Sequence, residues 1–425
     1  MKTKAVRIYG VNELRLEEFE LPEIREDEIL AQVVSDSICM SSHKLAIQGA
    51  KHKRVRDDLT KHPAIIGHEF CGTIEQVGAK WADTFKAGDT FAIQPALNYP
   101  GPDGQGTLWA PGYSYEHIGG DATFIIIPNE VMEMHCLLEY PGDNFYLGSL
   151  AEPVSCIVGA FHAQYHTHGG SYHHDMGIVE GGSLALLAGV GPMGLEAIDY
   201  AIHNPRKPGR LVVTDIDDAR LARAAQLLSV ETAKRQGVEL SYINTKSLTD
   251  PVAQLKGING NKGYDDVFVF APVKPVLELG DSLLGADGCL NFFAGPTDMA
   301  FSANWNFYNV HYESHHLVGT SGGNTDDMKE SLAMMARGEL NPVFMVTHVG
   351  GLNAVAQTTM DLDKIPGGKK LIYTHKNLEL TAIADFAEKG KTDSFYAKLA
   401  EICNAHQGLW NREAEQYVLH YAPEI

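Results

Sequence analysis

Cysteine is scarce and scattered in this sequence: Cys39, Cys71, Cys136, Cys156, Cys289 and Cys403 are the only six among 425 residues. No two are closely spaced, which excludes a small disulfide-stapled secreted domain and makes a reducing, cytoplasmic setting the expectation. Positive charge is short as well. Lys and Arg number 34 against 54 Asp and Glu, a formal net charge of −20. A field of that sign repels a phosphate backbone or an anionic bilayer, so neither nucleic acid nor a membrane is an expected partner. No apolar run reaches the roughly 18 residues of a membrane-spanning helix; "GGSLALLAGVGPMGL" is short and full of glycine. The N-terminal "MKTKAVRIYGVNELRLEEFELP" lacks the apolar core of a signal peptide, and Val6, Ile8, Leu14 and Leu16 read as strands.

What is present is length enough for two domains sharing a cleft. Residues 1–135 are dense in short strand-like runs such as "EILAQVVSDSI" and "GTIEQVG", with little helical periodicity, which predicts a barrel-like β domain. From Gly182 the pattern becomes "SLALLAG", "VGPMGLEAIDYAI", "GRLVVTD" and "DDARLARAAQLL": apolar strand, amphipathic helix, apolar strand, helix. That alternation predicts an α/β domain with a parallel sheet covered on both faces, closing between residues 320 and 340. The last ninety or so residues contain "KKLIYTH" and "SFYAKLAEICNAH", and their pattern does not say which domain they join. Five of the 19 histidines fall in "FHAQYHTHGGSYHHDMG", a spacing that matches no metal site and reads as a polar, solvent-facing connection.

Gly189, Gly191 and Gly194 form GxGxxG after an apolar strand, with Pro192 and Met193 opening the helix. In such a loop the first glycine makes the tight turn, the second admits a pyrophosphate to the backbone, and the third lets helix and strand pack, while the helix N-terminus supplies amide donors. Asp215 stands 24 residues beyond Gly191 at the end of the next strand, where a carboxylate can accept the adenosine ribose hydroxyls. The same carboxylate would repel the extra phosphate of NADP, so NAD(H) is favoured; Arg220 and Arg223 nearby leave NADP(H) open.

In "PAIIGHEFCG", His68 and Glu69 sit between two glycines, 29 residues after Cys39, and Glu152 lies far downstream in "SLAEPVSC". A cysteine and a histidine so far apart are more often ordinary core or surface residues than ligands, and on the residues alone both readings stay open. The segments "SICMSSH", "IIGHEFCGTIEQVG", "FKAGDTFAI", "LAEPVSC" and "LLAGVGPMG", in this order, resemble the zinc-dependent medium-chain dehydrogenase/reductase family of alcohol, polyol and threonine dehydrogenases over nearly the whole chain. The resemblance implies a chaperonin-10-like β-barrel catalytic domain over 1–160, a Rossmann nucleotide-binding domain over 161–325, a return to the catalytic domain over 326–425, and a homodimer or homotetramer. It makes Cys39 and His68 zinc ligands, puts Glu69 in or beside the coordination shell, and gives Glu152 a position that is glutamate in polyol dehydrogenases. Ser41 falls where the family passes the substrate proton. His43 follows the cysteine by four residues, where the family's relay histidine usually follows by five.

The segment "IQPALNYPGPDGQGTLWAPGYSYEH" carries none of the four cysteines that hold the family's second, structural zinc, so one catalytic zinc is expected and no structural one. Just upstream of His68, "GAKHKRVRDDLTKHP" gathers Lys51, Lys53, Arg54 and Arg56 in an otherwise acidic chain. Such a cluster suits the phosphate of a small substrate, although charge runs are usually solvated loops. The expected activity is hydride transfer between a nicotinamide cofactor and a sugar phosphate, with L-sorbose 1-phosphate reduced to a hexitol phosphate. The alternatives are dehydrogenation of an unphosphorylated polyol or of threonine, and a catalytically silent NAD-binding protein.

Overall fold

The computed structural model describes residues 1–100, 104–169 and 171–425. The chain divides into two compact units, Met1–Glu152 with Val346–Ile425, and Pro153–Met345. Among the described residues no helix is long and apolar enough to cross a membrane.

The first unit is built on the strand Ile29–Ile38, which is buried along nearly its whole length and pairs antiparallel with Phe70–Val77, Phe124–Ile127 and Lys369–Tyr373. A strand with partners on every side and apolar residues on both faces becomes the spine of a core: Ile29, Ala31, Val33, Phe70, Ile74, Phe91, Ile125 and Ile127 form one packed cluster. Two register irregularities fall in this strand, at Leu30/Ala31 and Val33/Ser35, and because both of its faces are covered the consecutive polar residues Ser35, Asp36 and Ser37 are all buried near its end. The C-terminal strands Val346–Gly351 and Lys369–Tyr373 extend the same eight-stranded sheet. Residues 1–135 also contain a helix, Met40–Gln48, which the strand-rich pattern did not predict; it buries only Ser42, His43, Leu45 and Ala46, too short a stripe to register as periodicity.

The second unit carries a six-stranded sheet in which every pair is parallel, ordered Glu239–Asn244, Arg210–Asp215, Ser183–Leu187, Tyr264–Val269, Leu284–Phe292, His316–Val318. In sequence order this is 3-2-1-4-5-6, the doubly wound arrangement whose chain reverses direction beside its first strand. The expected strand–helix alternation is therefore correct for this unit. The helix Phe145–His162 is buried nearly throughout, and a helix apolar on all sides shows no stripe to read.

The histidine-rich segment departs from a plain solvent-facing connection. It forms a hairpin, Tyr165–His166 against Asp175–Met176, and His166 is buried, its Nδ1 donating to the Asp287 carbonyl with Nε2 3.2 Å from Asp266 Oδ1. Asp287 accepts the amides of Thr167 and His168 and faces His316 Nε2 at 2.7 Å. These histidines fasten the hairpin to the sheet.

Candidate functional site

Three strand ends converge in the first unit. Cys39 follows Ile29–Ile38 and begins the helix Met40–Gln48; His68 and Glu69 precede Phe70–Val77; Lys370 pairs with Ile38, which places Lys369 one step further along, level with Cys39. Each of Cys39, His68 and Glu69 offers a ligand atom within 4.8 Å of the other two. Tetrahedral zinc with N, O and S ligands has donor–donor edges of roughly 3.3–3.7 Å, so the group needs to contract by only about an ångström.

The Glu69 carboxylate is engaged at both oxygens: Ser37 Oγ donates to one, and Lys369 Nζ to the other. Its amide donates to Asp36 Oδ1 at 3.1 Å. Burial, with Asp121 and Glu69, pushes the Asp36 carboxyl well above the usual range. Burial works against the charge on Lys369, but Cys39, Glu69 and Glu152 outweigh it and raise this lysine above its ordinary value.

Glu152 is buried within electrostatic reach of Glu69, His68, Cys39 and Lys369 and is pushed up to about 7, first by burial and then by Glu69. Burial also raises the Cys39 thiol, with Lys369 opposing, and lowers His68, leaving a neutral imidazole. Three acidic groups thus face one ammonium; fully ionised, they leave two negative charges in excess, which a divalent cation cancels. Thiolate, imidazole and carboxylate are the donor set of a catalytic zinc.

Ser41 Oγ lies 3.1 Å from His68 Nε2, and Tyr113 Oη approaches the same nitrogen at 3.3 Å. Tyr113 comes from the segment in which the structural-zinc cysteines are missing; residues 101–103 of that segment lie outside the described ones. Gly112 permits the approach, since a Cβ there would lie 2.1 Å from the Gly67 carbonyl oxygen. His43 is not drawn into the group: its Nδ1 donates to the Thr359 carbonyl at 2.8 Å, tying its helix to the C-terminal part of the unit. Of the four clustered cations, Arg54 lies over the Tyr113 ring and Arg56 over Trp109, while Lys51 and Lys53 are exposed.

In the second unit the glycine loop has the expected division of labour. A Cβ on Gly194 would sit 2.3 Å from the Gly189 carbonyl oxygen, so strand and helix pack only with glycine there, whereas a Cβ on Gly191 would meet nothing nearer than Arg220 at 3.6 Å. Gly191 caps the helix Pro192–His203, with Pro192 in its first turn and Met193 following. Asp215 Oδ1 accepts the amides of Ile216 and Asp217, and Oδ2 lies 3.5 Å from Arg220.

Sequence reasoning missed Lys369 and Tyr113. Lys369 left a trace, because two successive lysines in "KKLIY" cannot both avoid the interior of an alternating strand, and both are in fact buried. Tyr113 left none.

A GroES-like barrel with a metal-capable group, together with a doubly wound sheet carrying a glycine loop, defines a class of two-unit oxidoreductases. Residues 25–135 match the alcohol dehydrogenase GroES-like domain. The chain is 53% identical over 420 residues to the mannitol-1-phosphate 5-dehydrogenase of Aliivibrio fischeri, spanning 99% of this chain and 98% of that one. It is 48% identical over 424 residues to the L-sorbose 1-phosphate reductase of Klebsiella pneumoniae, spanning 100% of this chain and 98% of that one. Among solved structures, the 2R,3R-butanediol dehydrogenase of Bacillus subtilis superposes with a TM-score of 0.67 at 20% identity, covering 87% of this chain and 99% of that one. The chain belongs to the zinc-dependent medium-chain dehydrogenase/reductase family.

Proposed function

We propose that the protein interconverts a ketose phosphate and a hexitol phosphate as a zinc- and NAD(P)-dependent dehydrogenase, with reduction of L-sorbose 1-phosphate to a hexitol phosphate as its leading reaction. The observation that carries the chemistry is the close grouping of the Cys39 thiol, the His68 imidazole and the Glu69 carboxylate, each with a ligand atom within 4.8 Å of the others. The substrate class is supported by the full-length relatives named for L-sorbose 1-phosphate and mannitol 1-phosphate and by the cations Lys53 and Arg54, which belong to no ion pair among the described residues.

Cys39, His68 and Glu69 are the residues that would hold the metal, Glu152 offers a second buried carboxylate beside them, and Ser37 and Lys369 steady Glu69. When bound, zinc supplies a Lewis acid at the substrate oxygen and the nicotinamide gives or takes the hydride. Ser41 holds the proton of the substrate hydroxyl beside His68 Nε2, and Tyr113 covers that nitrogen from water. The open side of Gly191 receives the pyrophosphate of the nucleotide, and Asp215 favours NAD(H).

The test joins metal analysis to a substrate panel. About one zinc per chain is expected, and Cys39→Ala should lose most of it together with nearly all turnover, while NADH fluorescence titration stays near native. Normal zinc content in that variant would overturn the ligand assignment. L-sorbose 1-phosphate and mannitol 1-phosphate should outperform free sorbitol; equal efficiency would make the protein a simple polyol dehydrogenase.

A further inference from the structure

The cations of residues 51–56 are held in different ways. Arg56 is partly neutralised, with Nε 3.4 Å from Asp57, and its guanidinium rests 4.1 Å from the Trp109 ring centroid. Lys51 is exposed at the end of a single helical turn. Arg54 is fastened at both ends to segment 108–114: Ser114 Oγ donates to its carbonyl at 2.6 Å, and its own Nη1 donates to the Leu108 carbonyl at 3.3 Å. Its guanidinium lies 5.5 Å from the centroid of the Tyr113 ring, and the hydroxyl of that ring is 3.3 Å from His68 Nε2. One aromatic ring therefore separates the guanidinium from a metal-capable imidazole.

Among the described residues this cation has no ion-pair partner. None of the ion pairs among the described residues involves Arg54 or Lys53, in a chain where acidic residues outnumber basic ones by 54 to 34. His52, stacked on Tyr113 at 5.4 Å and 9°, supplies none either: burial, then Arg54 and Lys53, drives it down to about 4 and leaves it neutral. A guanidinium has five N–H donors in a planar fork, and Leu108 engages the fork once. Clamped, unneutralised and backed by a ring, it is prepared for a bidentate oxyanion.

We propose that Arg54, presented by segment 108–114, is the residue that recognises the phosphate monoester of the substrate, with Lys53 adding charge beside it, and that Arg56 and Lys51 take no part. This rests on the reading of a phosphorylated substrate. It also gives the segment that lacks the structural-zinc cysteines a task, because Leu108, Tyr113 and Ser114 aim the arginine.

The experiment uses the zinc-loaded full chain with L-sorbose 1-phosphate, mannitol 1-phosphate and free sorbitol, and with inorganic phosphate as a binding probe followed by calorimetry. Arg54→Ala should raise KM for the phosphorylated substrates about tenfold to a hundredfold, with a smaller change in kcat, unchanged zinc content and correspondingly weakened phosphate binding. Arg54→Lys, which keeps the stem on Tyr113 and reports even if the alanine variant is unstable, should recover part of the loss. Arg56→Ala should stay within about twofold of native. If native protein rejects free sorbitol yet both Arg54 variants keep native KM and phosphate affinity, the phosphate is bound elsewhere and this assignment falls while the substrate reading stands. If native protein takes free sorbitol as readily as the phosphates, the substrate reading falls and the assignment with it.

Discussion

The two units reach their sites by opposite routes. In the nucleotide unit the glycine loop, its helix and Asp215 occupy one strand–helix–strand stretch between Ser183 and Asp215, so every part lies within a few turns of chain of the next. In the metal unit the Glu69 carboxylate is held by Ser37 from 32 residues before it and by Lys369 from 300 residues after it. A local site depends on backbone shape, and substitutions there tune a ligand. A distributed site depends on buried charge balance, and substitutions there strike the fold as well.

That contrast is broken most directly at Lys369. Removing the ammonium in Lys369→Met leaves a buried carboxylate without its cation, which should destabilise the metal-free protein by about 3–5 kcal/mol in urea titration. The double variant with Glu69→Gln should recover most of it, since a neutral amide costs far less to bury. A single variant within about 1 kcal/mol of native would show that the pair carries little and that the metal unit is no more vulnerable than the nucleotide unit.

At Asp215 the expected effect is smaller and falls on choice rather than stability. If the carboxylate faces the ribose, Asp215→Ser should remove the repulsion against a 2′-phosphate and free Arg220, 3.5 Å away, to meet it. The ratio of kcat/KM for NAD over NADP should fall roughly tenfold. An unchanged ratio would mean that the carboxylate serves only the amides of Ile216 and Asp217.

The smallest effect belongs to His162, whose Nδ1 lies 2.8 Å from Asp327 and whose Nε2 lies 3.3 Å from Glu330. The hydrogen bond with Asp327, then that with Glu330, raises its pKa to about 9. A histidine raised on folding contributes stability that is complete below about 6.5 and is lost as pH rises through about 9. The side chain is half exposed, so screening keeps the contribution under about 1 kcal/mol. The gap in urea midpoint between native protein and His162→Gln should be present at pH 6.5 and vanish by pH 9.5; a constant gap would assign it to packing.

The same contrast explains what could be read in advance. The strands "SLALL" and "RLVVTD" and the glycine loop declare themselves because burial on both faces writes an unbroken apolar run and because tight turns demand glycine. The helix Phe145–His162 did not, since burial on all sides erases the periodicity that marks a helix. In the metal unit Cys39, His68 and Glu69 were legible through the order of five short segments; His43 stands one residue short of the relay position, and its ring is bonded to Thr359.

Side-chain identity already offers the chemistry: one thiol, one imidazole and two carboxylates beside turn residues, a glycine loop before a helix, and a basic stretch in an acidic chain. These follow from side-chain identity and local backbone preference. Only the folded chain shows that Lys369 neutralises Glu69 and that Tyr113 stands between His68 and Arg54. Those pairings are set by sheet register and loop packing between residues tens to hundreds of positions apart, and the few kilocalories that select one register over another come from the whole core.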